Sequence, residues 1–239
     1  MSLYRDAAVV LRTYKLGEAD RITVLLTRTA GKVRAVAKGV RKTRSKFGSR
    51  LEPGSYIDAQ LHEGKGELDI VTQAESVEFF PQIRTDLARL SRASALLEAV
   101  DQLTLDREPN RRLFEMLVGG LRIIDEQNPP LVIGAFFLKL LAAEGVAPVL
   151  DGCIECHSDE GPFVWAVDAG GVRCRACGSG RAVSDDALSV SRAVLGGGLR
   201  TALELPDSPV VHEVEDFAAR SLEAHLERRL RSLHLLTDS

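Results

Sequence analysis

Two short cysteine pairs constrain this chain more than any other feature it has. Cys153 and Cys156 enclose two residues, Cys174 and Cys177 enclose two more, and 17 residues lie between the pairs. A short pair turns two thiolates toward one point, and two such knuckles close a tetrahedron around a metal ion, with zinc the usual occupant of this spacing. The competing chemistry is two disulfides, which a reducing cytosol disfavours. Four thiolates leave no position for a reactive water, so the expected Zn2+ is structural rather than catalytic. His157 adjoins Cys156 and could replace a ligand, but the cysteines already fill the set. Gly152 and Gly178 flank the pairs, where tight turns are expected. Beyond Phe163, Val164 and Trp165, residues 151–180 offer little apolar material, so the metal is expected to contribute to their folding.

Charge is distributed as unevenly as cysteine. The formal net charge is only -3, yet residues 1–50 carry 13 Lys or Arg against 3 acids, leaving 18 basic and 31 acidic residues for the rest. A basic head on an acidic body points to a polyanion-binding module joined to a region with another task. The basic density peaks over residues 38–50, where Lys38, Arg41, Lys42, Arg44, Lys46 and Arg50 occur without an acid. Arg12 and Arg34 lie on strands nearby. Such side chains pair with phosphates and release condensed counterions, which binds nucleic acid without reading its sequence. Tyr14, Phe47 and Tyr56 are the nearest aromatics, too few to suggest extensive base stacking, so backbone tracking is the expected mode. A solvated, disordered basic loop is the competing reading of the same run.

Hydrophobic periodicity divides the chain near residue 80. Ala7–Leu16, Arg21–Thr27, Val33–Ala37, Tyr56–Leu61 and Leu68–Val77 read as strands separated by Gly-bearing turns. Five short strands suit a small closed barrel, OB-like or SH3-like. The polar, Gly-broken run from Lys38 to Arg50 reads as a mobile loop rather than a core element. After Pro81, Leu87, Leu90, Leu97, Val100 and Leu103 recur at helical spacing, followed by helices around Leu113–Ile124, Leu131–Glu144 and Asp186–Leu195. Ser208-Pro209 supplies an N-cap and a first-turn proline for a last helix, whose apolar stripe runs from Val211 to Leu233 with Arg228, Arg229 and Arg231 near its end. The expected class is α+β: an N-terminal barrel over 1–80, then a helical domain over 81–239 with the cysteine module 151–180 inserted.

A composition of 45% apolar and 27% charged residues is that of an ordinary globular protein. Leu131–Ala143, the most apolar stretch, contains Gly134 and Lys139 and falls short of the roughly 18 residues a membrane span needs. The start MSLYRDAAVV lacks the basic and apolar regions of a secretory signal, so a cytoplasmic location is expected. Enzyme readings find little support in the residues. Gly64-Lys65-Gly66 lacks the upstream glycine and the Ser or Thr of a phosphate loop. A zinc deaminase needs His-x-Glu together with Pro-Cys-x-x-Cys and an open metal position, and no Pro-Cys-x-x-Cys occurs. Barrel plus zinc also suits an RNA-binding module, and composition does not separate DNA from RNA.

A resemblance narrows the choice. Lys15-Leu16-Gly17-Glu18-Ala19-Asp20-Arg21 through Leu26-Thr27, then Gly31-Lys32, Ala35-Val36-Ala37-Lys38-Gly39-Val40-Arg41-Lys42, Ser45-Lys46-Phe47 and Leu51-Glu52-Pro53, resemble the amino-terminal domain of the bacterial RecO family. The resemblance extends along the chain, strongest over residues 3–80 and at the cysteines. It implies an OB-fold followed by a helical domain with a zinc module. It implies a non-enzymatic mediator of DNA repair and recombination that binds single- and double-stranded DNA and anneals complementary strands. With RecR, such a mediator loads RecA onto DNA coated by single-strand-binding protein; a nucleoid-associated location follows. Carried over by position, Lys38, Arg41, Lys42, Arg44, Lys46 and Arg50 are the DNA-contacting candidates.

Overall fold

A computed structural model describes residues 2–42 and 45–233. The chain forms two compact units. The first holds the described residues up to Glu126 together with Arg231 to Leu233, and the second is Gln127–Leu230.

In the first unit, β1 (Leu3–Leu16), β2 (Asp20–Thr27), β3 (Gly31–Ala37), β4 (Tyr56–His62) and β5 (Asp69–Glu78) close a barrel in the order β1-β2-β3-β5-β4. All neighbouring pairs are antiparallel except β3 and β5, where Ala35 faces Asp69 and Val36 faces Ile70. This is an OB-like arrangement. Alternation along β3 and β4 sends every second side chain inward, where Ala8, Val10, Leu25, Ala35, Ala37, Ile57, Ala59, Leu61 and Val71 form the interior. A bulge in β1 between Val10 and Arg12 breaks that alternation, so the residues beyond it face the opposite way from a simple count. The β2–β3 turn is tied by Asp6, whose Oδ2 accepts from the Thr29 and Ala30 amides and the Thr29 hydroxyl. Gly31 ends this turn at φ +75, and a Cβ there would lie 2.5 Å from the Glu108 backbone. Any other residue would be both strained and overlapped.

The expected mobile loop after β3 is instead fastened to the barrel. Phe47 and Val40 are buried in the interior cluster together with Leu51 just after the run, so a run that is basic at its surface contributes two core side chains. A tally of charge and glycine misses this because one aromatic residue buried in a barrel interior outweighs its polar neighbours. Arg44 lies outside the described residues.

Helices follow the barrel in this unit: α1 (Pro81–Thr85), α2 (Leu87–Leu103) and α3 (Arg111–Glu126). Asp86 caps α2 by accepting from the Arg89 amide. The expected apolar stripe of α2 holds only in its later turns: Leu97 and Val100 are buried with Ala93, Leu96 and Ala99, whereas Leu87 and Leu90 are exposed. The small alanines let neighbours approach that part of the helix, and the first turn projects past them.

The second unit contains α4 (Val132–Ala143), β6 (Val149–Cys153), β7 (Phe163–Ala166), β8 (Gly171–Cys174), α5 (Asp185–Gly196), α6 (Leu199–Leu203) and α7 (Pro209–Leu226). Nearly every residue of α4 is buried, and it packs on α7. At 12 residues it is about 18 Å long, and among the described residues no helix is long and apolar enough to cross a membrane. Ser208 caps α7 and Pro209 fills its first turn, as expected. The helix is shorter than its apolar stripe suggests. Glu227 adopts a left-handed φ of +50 and ends it, leaving Arg228 and Arg229 beyond the last turn rather than on it.

Candidate metal centre and nucleic-acid interface

The cysteines meet because of how three short strands are ordered. β8 lies between β6 and β7, parallel to β6 and antiparallel to β7. Parallel strands end at the same edge, and both β6 and β8 end on the first cysteine of a pair. The first knuckle closes when the His157 amide donates to the Cys153 carbonyl at 2.9 Å and the Cys153 amide donates to Ser158 at 2.8 Å. The second closes through the Cys177 and Gly178 amides, both donating to the Cys174 carbonyl. All four Sγ atoms then lie within 4.8 Å of one another, with Cys156 and Cys174 3.7 Å apart. Cys153 is buried, Cys174 half-buried, and Cys156 and Cys177 exposed. Among the described residues this is the group of His, Cys, Asp or Glu side chains gathered closely enough to hold a metal ion.

Local electrostatics favours a thiolate at the base of the cluster. Backbone N–H groups of Cys156 and Cys174, joined by Glu155, draw the Cys153 pKa down to about 6. Cys177 is pushed up to about 12 by hydrogen bonding with Cys156, Cys174 and Cys153 and by the nearby Cys153 charge. The turn chemistry differs from the expectation placed on Gly152 and Gly178. His157 takes the left-handed conformation at φ +60, and its ring is not part of the cluster. Gly152 is needed for close approach instead, because a Cβ there would sit 3.0 Å from the Ser158 carbonyl oxygen. The module is also better anchored than its composition implies. Trp165 stacks on Phe217 of α7 with ring centroids 3.9 Å apart. The Trp165 indole N–H donates to Glu213, and the same carboxylate accepts from the amide and hydroxyl of Ser184.

On the barrel, the structure sorts the basic side chains into neutralised and unneutralised groups. Arg5 pairs with Asp58 and Glu75, Arg21 with Glu52, Arg28 with Glu115, and Lys32 with Asp101 and Asp106. These cations hold strands and helices together. Of the candidates named from sequence, Arg12 gives its Nε to the buried Asp101 at 2.8 Å and lies 4.8 Å from the centre of the Tyr14 ring. Arg34 reaches Glu67 at 3.7 Å, and Glu67 is 90% exposed, so this pair is weak. Lys38, Arg41, Lys42, Lys46 and Arg50 are exposed and have no carboxylate partner among the described residues.

Backbone contacts hold that second group in place. The Gly39 amide donates to Asp20, the Arg41 amide to the Ala19 carbonyl, and the Lys42 amide to Gly39, which seats the turn after β3 against the β1–β2 turn. Lys46 donates to the Thr72 carbonyl and lies over the Phe47 ring, and Arg50 donates to the Lys46 and Phe47 carbonyls. Arg12 and Arg34 come into line across the sheet, because each faces Val24 from the strand on its own side. Two features of this surface escape the sequence: the exposed Tyr14, whose outward placement depends on the bulge in β1, and Asp101, which fixes Arg12 from a different element.

Comparison with known proteins places both parts in one family. A family model described as Recombination protein O N terminal matches residues 1–80, and one described as Recombination protein O C terminal matches residues 84–234. A DNA repair protein RecO from Frankia casuarinae is 46% identical over 242 aligned residues, covering 99% of each chain. A DNA repair protein RecO from Thermobifida fusca is 42% identical over 243, again covering 99% of each.

Proposed function

The chain belongs to the RecO family of DNA repair proteins, and from that premise we propose that it is a non-catalytic recombination mediator that holds DNA by its backbone on the barrel. What carries the reading is the group Lys38, Arg41, Lys42, Lys46 and Arg50, gathered on one turn and loop and without carboxylate partners among the described residues. Phosphates supply the charge that the protein withholds, and each contact releases a condensed counterion. A strand held this way loses much of its repulsion for a complementary strand, which is the physical requirement for annealing. No nucleotide is consumed, because the strand exchange is driven by base pairing.

The four cysteines suit Zn2+. A tetrahedral site with Zn–S bonds of about 2.3 Å has edges of about 3.8 Å, and the Cys156–Cys174 separation of 3.7 Å fits it. Cys153, Cys156, Cys174 and Cys177 would hold the ion, which supplies a structural cross-link between the knuckles. RecR and single-strand-binding protein are the proposed partners, through which the protein acts on RecA filament assembly, and the cytoplasm near the nucleoid is the proposed site of action.

A titration of a labelled single strand across salt concentrations tests the backbone grip. With about five phosphates neutralised, log affinity is expected to fall against log salt with a slope near -3.5. Arg41→Glu with Lys42→Glu lowers affinity and flattens the slope by about one to two units while the fold is retained. A folded double mutant with unaltered affinity and slope moves the interface elsewhere. Annealing of complementary strands without nucleotide separates mediation from an ATP-driven reaction.

A further inference from the structure

The four sulfurs of the candidate metal centre are unequally sheltered. Cys153 is buried and Cys174 half-buried, but Cys156 and Cys177 are exposed, so a small oxidant in solution has a direct path to the cluster. The bases of the two knuckles are tied by contacts that need no metal. The Ile154 amide donates to the Val172 carbonyl at 2.9 Å, and the Arg173 Nε donates to the Glu155 carboxylate at 3.0 Å. The stack of Trp165 on Phe217 holds the neighbouring strand β7 from the other side. Loss of a bound ion therefore leaves the knuckle tips as neighbours, with only their sulfurs unjoined.

We propose that these cysteines form a peroxide-responsive switch, in which Cys156 and Cys174 join as a disulfide across the knuckles and the site gives up its metal. The proposal rests on the zinc reading above and adds an oxidised state of the same residues to it. Oxidation selects sulfurs that are both nucleophilic and accessible, which singles out the exposed pair. Of these, Cys156 has a partner at contact distance, because its Sγ lies 3.7 Å from that of Cys174. A change of rotamer moves a cysteine sulfur by about 3 Å, more than the gap that bonding has to close. The Cys156 thiolate attacks one oxygen of hydrogen peroxide; an S–O bond forms, the O–O bond breaks, and the departing hydroxide takes a proton to become water. The Cys174 thiolate then attacks the Cys156 sulfur; an S–S bond forms, the S–O bond breaks, and a second hydroxide leaves as water. Two thiolates, one peroxide and two protons thus give one disulfide and two waters, with two electrons passing from sulfur to peroxide.

Cys153 and Cys177 are left as thiols, and two sulfurs do not complete a tetrahedral site, so the ion departs. The new bond spans the same two knuckles that the metal had spanned. Oxidation therefore differs from chelation: it exchanges one cross-link for another and leaves the module folded, and a dithiol that returns two electrons restores the four-thiolate site.

Titration of the zinc-loaded full chain with hydrogen peroxide tests the switch. Released zinc is read with a chromogenic chelator, and the disulfide by tandem mass spectrometry of the alkylated tryptic digest, in which cleavage after Arg173 and Arg175 isolates Cys174 from the other cysteines. Each chain is expected to lose its zinc and gain one Cys156–Cys174 disulfide for one peroxide consumed, and dithiothreitol with added zinc should reverse both. The Cys177 and Gly178 amides should stay better protected from hydrogen exchange in the oxidised chain than in the chelated one. Cys177→Ser, its fold checked by Trp165 fluorescence, should form the same disulfide although it has lost a metal donor. Zinc retained through excess peroxide, or released with sulfinic acids or within-knuckle disulfides in place of the Cys156–Cys174 bond, overturns the switch and leaves the structural zinc reading standing. If the purified chain takes up no stoichiometric zinc before any oxidant is added, the zinc reading itself fails and the switch falls with it.

Discussion

The barrel and the cysteine module are both small β-structures, and they are held together in different ways. The barrel closes its sheet on itself and fills the interior with side chains from all five strands, plus Phe47 and Leu51 from the loop. The module has an open three-stranded sheet, and beyond Phe163, Val164, Trp165 and Val172 it has few buried side chains of its own. It leans on α7 through the Trp165–Phe217 stack and leaves its two knuckles to be joined by whatever the four thiolates bind. Where apolar residues recur with the period of a strand, burial alone determines the structure. Where they do not, a cross-link has to supply what burial cannot.

Metal removal should separate the two regions most sharply. Structural zinc sites contribute on the order of 10 kcal/mol to the folding of isolated modules, and here the α7 anchor should retain part of the structure without a metal. After chelation, amides of Cys153, His157, Cys177 and Gly178 should lose protection from hydrogen exchange first. Those of Phe163 to Ala166 should lose less, and those of Val10, Leu25 and Leu61 none. Cys153→Ser should reproduce this pattern and abolish stoichiometric metal. Equal loss in barrel and knuckles would end the contrast drawn here.

The reverse perturbation is Phe47→Ala. Phe47 is 1% exposed and packs among Val40, Leu51 and the barrel interior, so truncation should cost about 3–5 kcal/mol. Because the same loop carries Lys46 and Arg50, DNA affinity should fall along with the melting temperature of the first unit, while metal content stays whole. A stable Phe47→Ala protein with undiminished affinity would show that the loop presents its charges without its anchor.

How far sequence reaches follows the same division. The strands, the β2–β3 hairpin, the Ser208-Pro209 start of α7 and the paired cysteines are legible because each rests on spacing within a few residues. What escapes depends on partners remote in the chain. Phe47 looks like part of a solvated run until a barrel exists for it to enter. Tyr14 faces outward only because a bulge at Val10–Arg12 shifts the alternation. Arg12 reads as a free cation until α2 brings Asp101 to it. Glu227 ends α7 inside a stripe that continues in helical rhythm, and periodicity carries no signal for a single left-handed residue. At the candidate metal centre the four cysteines are legible, but the parallel pairing of β6 with β8 that brings them to one edge is not.

The smallest effect concerns charge buried in the barrel unit, where the module has no counterpart to the Asp69 cluster. Asp69 is fully buried at the start of β5, accepting from Arg107 at 2.8 Å, from the Tyr4 hydroxyl at 2.5 Å and from the Gly64 amide at 3.3 Å. Burial opposes its ionisation, and the hydrogen bonds from Arg107, Tyr4 and Gly64 overcome that opposition and hold the carboxyl below its ordinary 3.8. Burial and the adjacent Asp69 carboxylate in turn push the Tyr4 hydroxyl well above its usual range. A carboxylate whose folded pKa is depressed contributes stability that is fully present above its unfolded value and is lost as pH falls through the folded one. The Asp69 contribution should therefore be constant near neutral pH and decline below about 3.8. Asp69→Asn keeps the shape but removes the charge that Arg107 faces, and since Arg107 is partly exposed the loss should be about 1–3 kcal/mol. Urea midpoints of native and Asp69→Asn protein, followed by Trp165 fluorescence for the second unit and by exchange at Leu61 and Val71 for the first, should differ at pH 7 and draw together as pH falls below about 3.8, in the first unit only. A difference that persists unchanged to pH 3 would mean that Asp69 acts through packing, and that the barrel, unlike the module, is held by burial alone.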